Sequence, residues 1–121
     1  MKRMSIVVVV VVVMHAMASV VLAGDRFGVP VYPGATYDAA TSKALKESMG
    51  FNGECYQTND PVAKVAEFYR AKGLELFGDV TRDAAMFRQG NVDVTIQNPW
   101  MDMRTGALKK NTLISIVKRD E

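Results

Sequence analysis

Cysteine, histidine and tryptophan each occur once in the 121-residue chain, as Cys55, His15 and Trp100. Nucleophilic, acid–base or aromatic-recognition chemistry would have to start from these side chains. Cys55 is a candidate reactive thiol, because a lone cysteine in an oxidising compartment can couple to a second molecule. No basic residue stands beside it to lower its pKa, and the competing reading is a small buried hydrophobe in a strand. One cysteine permits no intramolecular disulfide. His15 lies in an expected leader, which leaves no histidine to act as general base or to complete a Cys–His pair. Zinc and copper sites lose their commonest ligand for the same reason. Neither a metal nor a cofactor is expected.

Trp100, Met101 and Met103 form the candidate binding surface. They fall in the stretch Asn98-Pro99-Trp100-Met101-Asp102-Met103, in a connection between strands. Exposed Trp and Met are costly to keep in water and are enriched where partners bind. The competing reading has Trp100 folding back over an open end of the core. Arg104, Lys109 and Lys110 give the same connection a basic tip, which reads as a solvated end that discourages edge aggregation. Asp79, Asp83, Asp93 and Asp102 could supply acid–base or calcium chemistry, but none has calcium-loop spacing and no pair stands out. Phe68 and Tyr69 share helical spacing with Val62 and Val65 and are read as core.

These residues need a compartment and a frame. Lys2 and Arg3 are the only charges before Asp25, and an unbroken valine run fills residues 7–13. Small-residue sites follow at Ala16-Met17-Ala18 and Val21-Leu22-Ala23. This pattern predicts a secretory signal peptide over residues 1–23, with cleavage after Ala23 preferred to cleavage after Ala18. The rival is an uncleaved anchor, for which residues 6–23 are barely long enough. Either way the following domain faces outward, and the expected location is the periplasm or the cell exterior. After cleavage no membrane insertion is expected.

Lys2 and Arg3 account for the whole net charge of +2; beyond them basic and acidic residues balance at 13 each. A neutral domain argues against nucleic acid or anionic membrane as the main partner. Residues 24–121 suffice for one small domain.

Residues 26–35 read as an extended entry with a Pro33-Gly34 turn. A helix is predicted over 38–49, capped by Asp38 and stopped by Gly50, with Ala40, Ala44, Leu45 and Met49 as its apolar face. Residues 54–58 are a short strand. A second helix is predicted from Asp60 as N-cap and Pro61 as first helical residue to Gly73, with Val62, Val65, Ala66 and Tyr69 inward. Residues 84–89 and 92–97 flank Gly90-Asn91 as a hairpin, and 112–118 form the last strand. Val92, Val94 and Ile96 alternate with Asp93, Thr95 and Gln97, so the sheet is covered on one side. The sum is an α+β domain: a mostly antiparallel β-sheet with one or two helices packed on one face.

Two stretches carry a family resemblance: Tyr32-Pro33-Gly34-Ala35 with Tyr37-Asp38, and the run from Tyr56 to Tyr69. They resemble small exported bacterial proteins of uncharacterised function with a YPGA entry and a T-x-D-P-x-x-K-V-x-x-F-Y helix. The resemblance spans about half the mature chain. It implies a bacterial, exported protein and transfers no catalytic residue.

Together these readings predict a non-catalytic envelope or periplasmic module that binds a protein or a small apolar ligand. The alternatives are a carboxylate-based hydrolase acting on an envelope glycan, and a structural subunit that dimerises through a sheet edge or Cys55.

Overall fold

The computed structural model describes residues 25–119. The predicted leader, with His15 and both cleavage sites, lies outside the described residues. No helix among the described residues is long and apolar enough to cross a membrane.

The architecture is α+β. A two-residue pair, β1 (Asp25–Arg26) with β2 (Val29–Pro30), leads into β3 (Thr36–Tyr37), helix α1 (Ala39–Met49) and β4 (Asn52–Thr58). Helix α2 (Val62–Ala71), β5 (Glu75–Leu76), β6 (Ala84–Gln89) and β7 (Val92–Gln97) follow. A small hairpin, β8 (Trp100–Met101) with β9 (Leu108–Lys109), interrupts the connection to β10 (Thr112–Lys118). Six strands form one antiparallel sheet in the order β3-β4-β10-β7-β6-β5.

The β6–β7 hairpin turns at Gly90, whose φ of +61° suits a tight two-residue connection. Its register pairs Ala85 with Ile96 and Phe87 with Val94. These side chains share the core face with Ile114 and Ile116 of β10, and α2 lays Val62, Val65, Ala66 and Tyr69 over them. Each buried Val, Ile or Phe among them stabilises the fold by about 1.5–3 kcal/mol. The Tyr69 hydroxyl donates to the Pro30 carbonyl at 2.8 Å, so its one polar atom is satisfied in the core.

One helix therefore covers the core face, as expected. The other takes the reverse face. There α1 leans over the β4 edge, and Leu45 packs on Cys55, Trp100 and Leu113. The predicted apolar face of α1 is corrected: Thr41 and Ser42 are its buried residues, while Ala40 and Met49 are exposed. The cause is the open edge of β4 beyond the short β3. Ser42 Oγ accepts from the Cys55 N–H at 2.8 Å, and the Asp38 N–H donates to the Cys55 carbonyl at 2.8 Å. The Ser42 hydroxyl satisfies an edge N–H that an apolar side chain would leave unpaired. Asp38 caps α1 through the Thr41 N–H, and Gly50 ends it in the left-handed region.

Two further boundaries differ from expectation. In α2 the N-cap position is Pro61, with no side-chain cap; the Asp60 carboxylate accepts from the Tyr32 hydroxyl instead. Strand β4 begins two residues before the predicted 54. Gly53 pairs with Val117, and an added Cβ there would lie 2.9 Å from Val117 Cγ2 and 3.0 Å from the Ile116 carbonyl oxygen.

Candidate functional site

Trp100 opens β8 and is 3% exposed. Its ring lies in the cluster with Cys55, Leu113 and Leu45, and its Nε1 donates to Asn111 Oδ1 at 2.9 Å. The indole is committed to the fold, so Trp100 does not belong to an exposed binding surface. The pleat explains the split: Trp100 pairs with Lys109 and Met101 with Leu108, and successive side chains leave a strand on opposite sides. Met101 and Leu108 point outward, 62% and 57% exposed, and Met103 is also exposed.

Asp102, 2% exposed, organises the turn of this hairpin. Its carboxylate accepts from the backbone N–H of Arg104 at 2.9 Å and from the Arg104 guanidinium at 3.0 Å. Its carbonyl accepts from the Gly106 N–H at 2.7 Å. Of the basic tip, Arg104 is therefore held by Asp102, while Lys109 and Lys110 are exposed. Asp79 is exposed, and Asp83, also exposed, stands 3.4 Å from Arg82.

Cys55 is 1% exposed. Burial pushes its thiol pKa up, while hydrogen bonding with Ser115 and Ser42 works the other way. A thiol that is both inaccessible and protonated is a poor nucleophile, and the geometry favours the packing role. Among the described residues no three His, Cys, Asp or Glu side chains are grouped to hold a metal.

The reverse face carries a cleft that the sequence did not disclose. Its side chains fall in rows across the sheet: Cys55, Ser115, Thr95 and Met86 in one, Gly53, Val117, Asp93 and Arg88 in the next. Helix α1 covers the Cys55 end and ends before the second row. The gap is a cleft of about 530 Å³, with Met86, Thr95 and Val117 as floor and Met49 and Phe51 as one wall. Met49 and Phe51 are 55% and 46% exposed. Gly53 contributes no side chain, which leaves room for Val117.

A charged rim closes one end. Asp93 Oδ1 accepts from Arg88 Nε at 2.8 Å and from Arg119 Nε at 3.2 Å. Arg88 also stacks over Phe77, 4.2 Å from the ring centroid. Asp93, expected to be solvated, is thus held between two guanidinium groups, and Lys118 lies beside them on the rim. An apolar cavity of this size with a few fixed polar groups is the usual form of a small-molecule site. The sequence held one signal for it. Asp93, Thr95 and Gln97 make the reverse face of β7 polar, whereas Met86 and Val117 break that pattern in β6 and β10.

No protein-family model, curated protein or solved structure matches this chain.

Proposed function

We propose that the protein is an exported, non-catalytic binding module of the periplasm or cell exterior, and that it holds a small apolar ligand in the reverse-face cleft. Export rests on the leader pattern of residues 1–23. The single observation that carries the binding role is the uncovered cleft itself: Met49 and Phe51 stand exposed over Met86 and Val117. Large apolar side chains left in a concave, preformed surface lose free energy to water until a ligand covers them. The floor offers a hydroxyl, Thr95, and no activated nucleophile.

The test uses N-phenyl-1-naphthylamine, a neutral apolar probe that fluoresces on leaving water. A single saturable site is expected, weakened about tenfold or more by Phe51→Ser, since burying that ring contributes about 1.5–3 kcal/mol. Met101→Ser, on the hairpin, is expected to leave binding unchanged. A probe that stays dark, or a site indifferent to Phe51→Ser, contradicts the reading.

A second reading is a protein partner docking on the hairpin, favoured by the outward cross-strand pair Met101 and Leu108. Dimerisation is less favoured. Both edges of the main sheet are two-residue strands, too short to template pairing, and Cys55 is buried.

A further inference from the structure

A second cleft, of about 410 Å³, lies where β3, the end of β4 and the residue preceding β10 meet, and Thr36, Asp38, Gln57, Asn59 and Asn111 line it. Its chemistry is the opposite of the apolar cleft. A directed run of hydrogen bonds crosses it. The Trp100 indole can only donate, so Asn111 turns Oδ1 toward it at 2.9 Å. Asn111 Nδ2 then donates to Gln57 Oε1 at 2.7 Å, and Gln57 Nε2 donates to Asp38 Oδ2 at 2.6 Å. Burial works to raise the Asp38 pKa, but the hydrogen bonds from Thr41 and Gln57 outweigh it and hold the carboxyl below its ordinary value. The ionised carboxylate is acceptor-only. A donor-only group at one end and an acceptor-only group at the other fix the orientation of both amides between them.

That fixed orientation determines what remains for a ligand. Asn111 and Gln57 each keep one N–H without a partner among the described residues, and each amide oxygen keeps a lone pair. Thr41 donates its N–H to Asp38 Oδ1 and its hydroxyl to Oδ2, so one acceptor position is left on Oδ1. The run thus offers both unused donors and unused acceptors. Adjacent hydroxyls, each able to donate and accept, match such a run; a carboxylate or phosphate would meet the charge of Asp38, and an apolar body would leave the amides unpaired.

From this geometry we infer that the cleft binds a neutral polyhydroxyl ligand, the ring of a sugar, through Asp38, Gln57 and Asn111, with the exposed Asn59 amide on the cleft lining as a further contact. This site is separate from the apolar cleft and does not depend on it.

The inference is tested by nuclear magnetic resonance on the mature chain, following side-chain amide signals during titration with glucose, N-acetylglucosamine and glucuronate. Saturable shifts of Gln57, Asn59 and Asn111 are expected with the neutral sugars, with glucuronate bound about tenfold more weakly or worse. Asn59→Ala, exposed and outside the hydrogen-bonded run, is expected to keep the fold and to weaken binding several-fold. Absence of saturable shifts with either neutral sugar up to about 100 mM, a weaker range than any specific site should need, overturns the inference. So does equal affinity for glucuronate, or an Asn59→Ala protein that binds as well as the parent.

Discussion

The Tyr32 hydroxyl donates to the Asp60 carboxylate at 2.6 Å, joining residues 28 positions apart. It ties the entry segment at residues 32–35 to the start of α2. The Asp60 carbonyl also accepts from Thr112 Oγ1 at 2.6 Å, which adds the head of β10 to the same junction. Tyr32, Asp60 and Thr112 thus form a clamp between entry segment, helix and central strand.

Loss of that clamp is measurable. Tyr32→Phe is expected to cost about 1.5–3 kcal/mol, the range for a hydrogen bond to a charged group, read as a lower urea midpoint with unchanged slope. The pH dependence follows from the same contact. Burial, then the bond to Asp60, pushes the Tyr32 pKa up from 10.0 to about 12. The folded state keeps this proton where the unfolded state has lost it. The contribution is therefore complete below pH 10 and disappears as pH rises through about 12. Tyr32→Phe should flatten part of the alkaline loss of stability; Tyr69, whose pKa burial also raises, accounts for a further part.

Trp100 and Asn111 give a second prediction. Trp100→Ala should destabilise the protein by about 3–5 kcal/mol, as for other large buried aromatic side chains. Asn111→Ala should cost about 1–3 kcal/mol by stranding the indole N–H. Near-neutral effects of both substitutions on thermal unfolding would mean that the ring is not held as described.

Cys55 is expected to resist iodoacetamide in the folded protein at pH 8 and to react fully in denaturant. Its burial and raised thiol pKa both act in that direction. Rapid labelling under native conditions, or a disulfide-linked dimer, would contradict the packing role.

Gly53→Ala tests the origin of the apolar cleft. The new Cβ meets Val117 Cγ2 at 2.9 Å and backbone at 3.0 Å, and only the side chain can move aside. A loss of about 1–3 kcal/mol is expected, typical of overpacking, together with weaker binding of the apolar probe. Unchanged stability would show that β4 and β10 are not so closely apposed.

Much of the frame was legible in the sequence. The hairpin over 84–89 and 92–97 and the strand over 112–118 match to the residue, because period-two alternation and a Gly-Asn turn are strong local signals. The inner face of α1 was not legible, since Ser42 bonds to the β4 edge at Cys55 and Thr41 to the Asp38 carboxylate, and neither is there by hydrophobicity. Asp60 looked like a cap because its position suits one; Tyr32, distant in sequence, draws its side chain away. The β8–β9 hairpin is two residues on each side, too short to show alternation. The apolar cleft joins residues near 50, 86 and 117, whose meeting depends on strand order, and strand order is not written in any local pattern.

The most direct test uses the methionines beyond the leader, which are Met49, Met86, Met101 and Met103. Met49 and Met86 line the apolar cleft, while Met101 and Met103 are exposed on the hairpin and its turn. A protein labelled with carbon-13 at the methionine methyl groups is titrated with N-phenyl-1-naphthylamine. The account predicts saturable shifts of the Met49 and Met86 signals, with Met101 and Met103 unmoved. Shifts confined to Met101 and Met103, or no shifts at all, would contradict a ligand-binding role for the cleft.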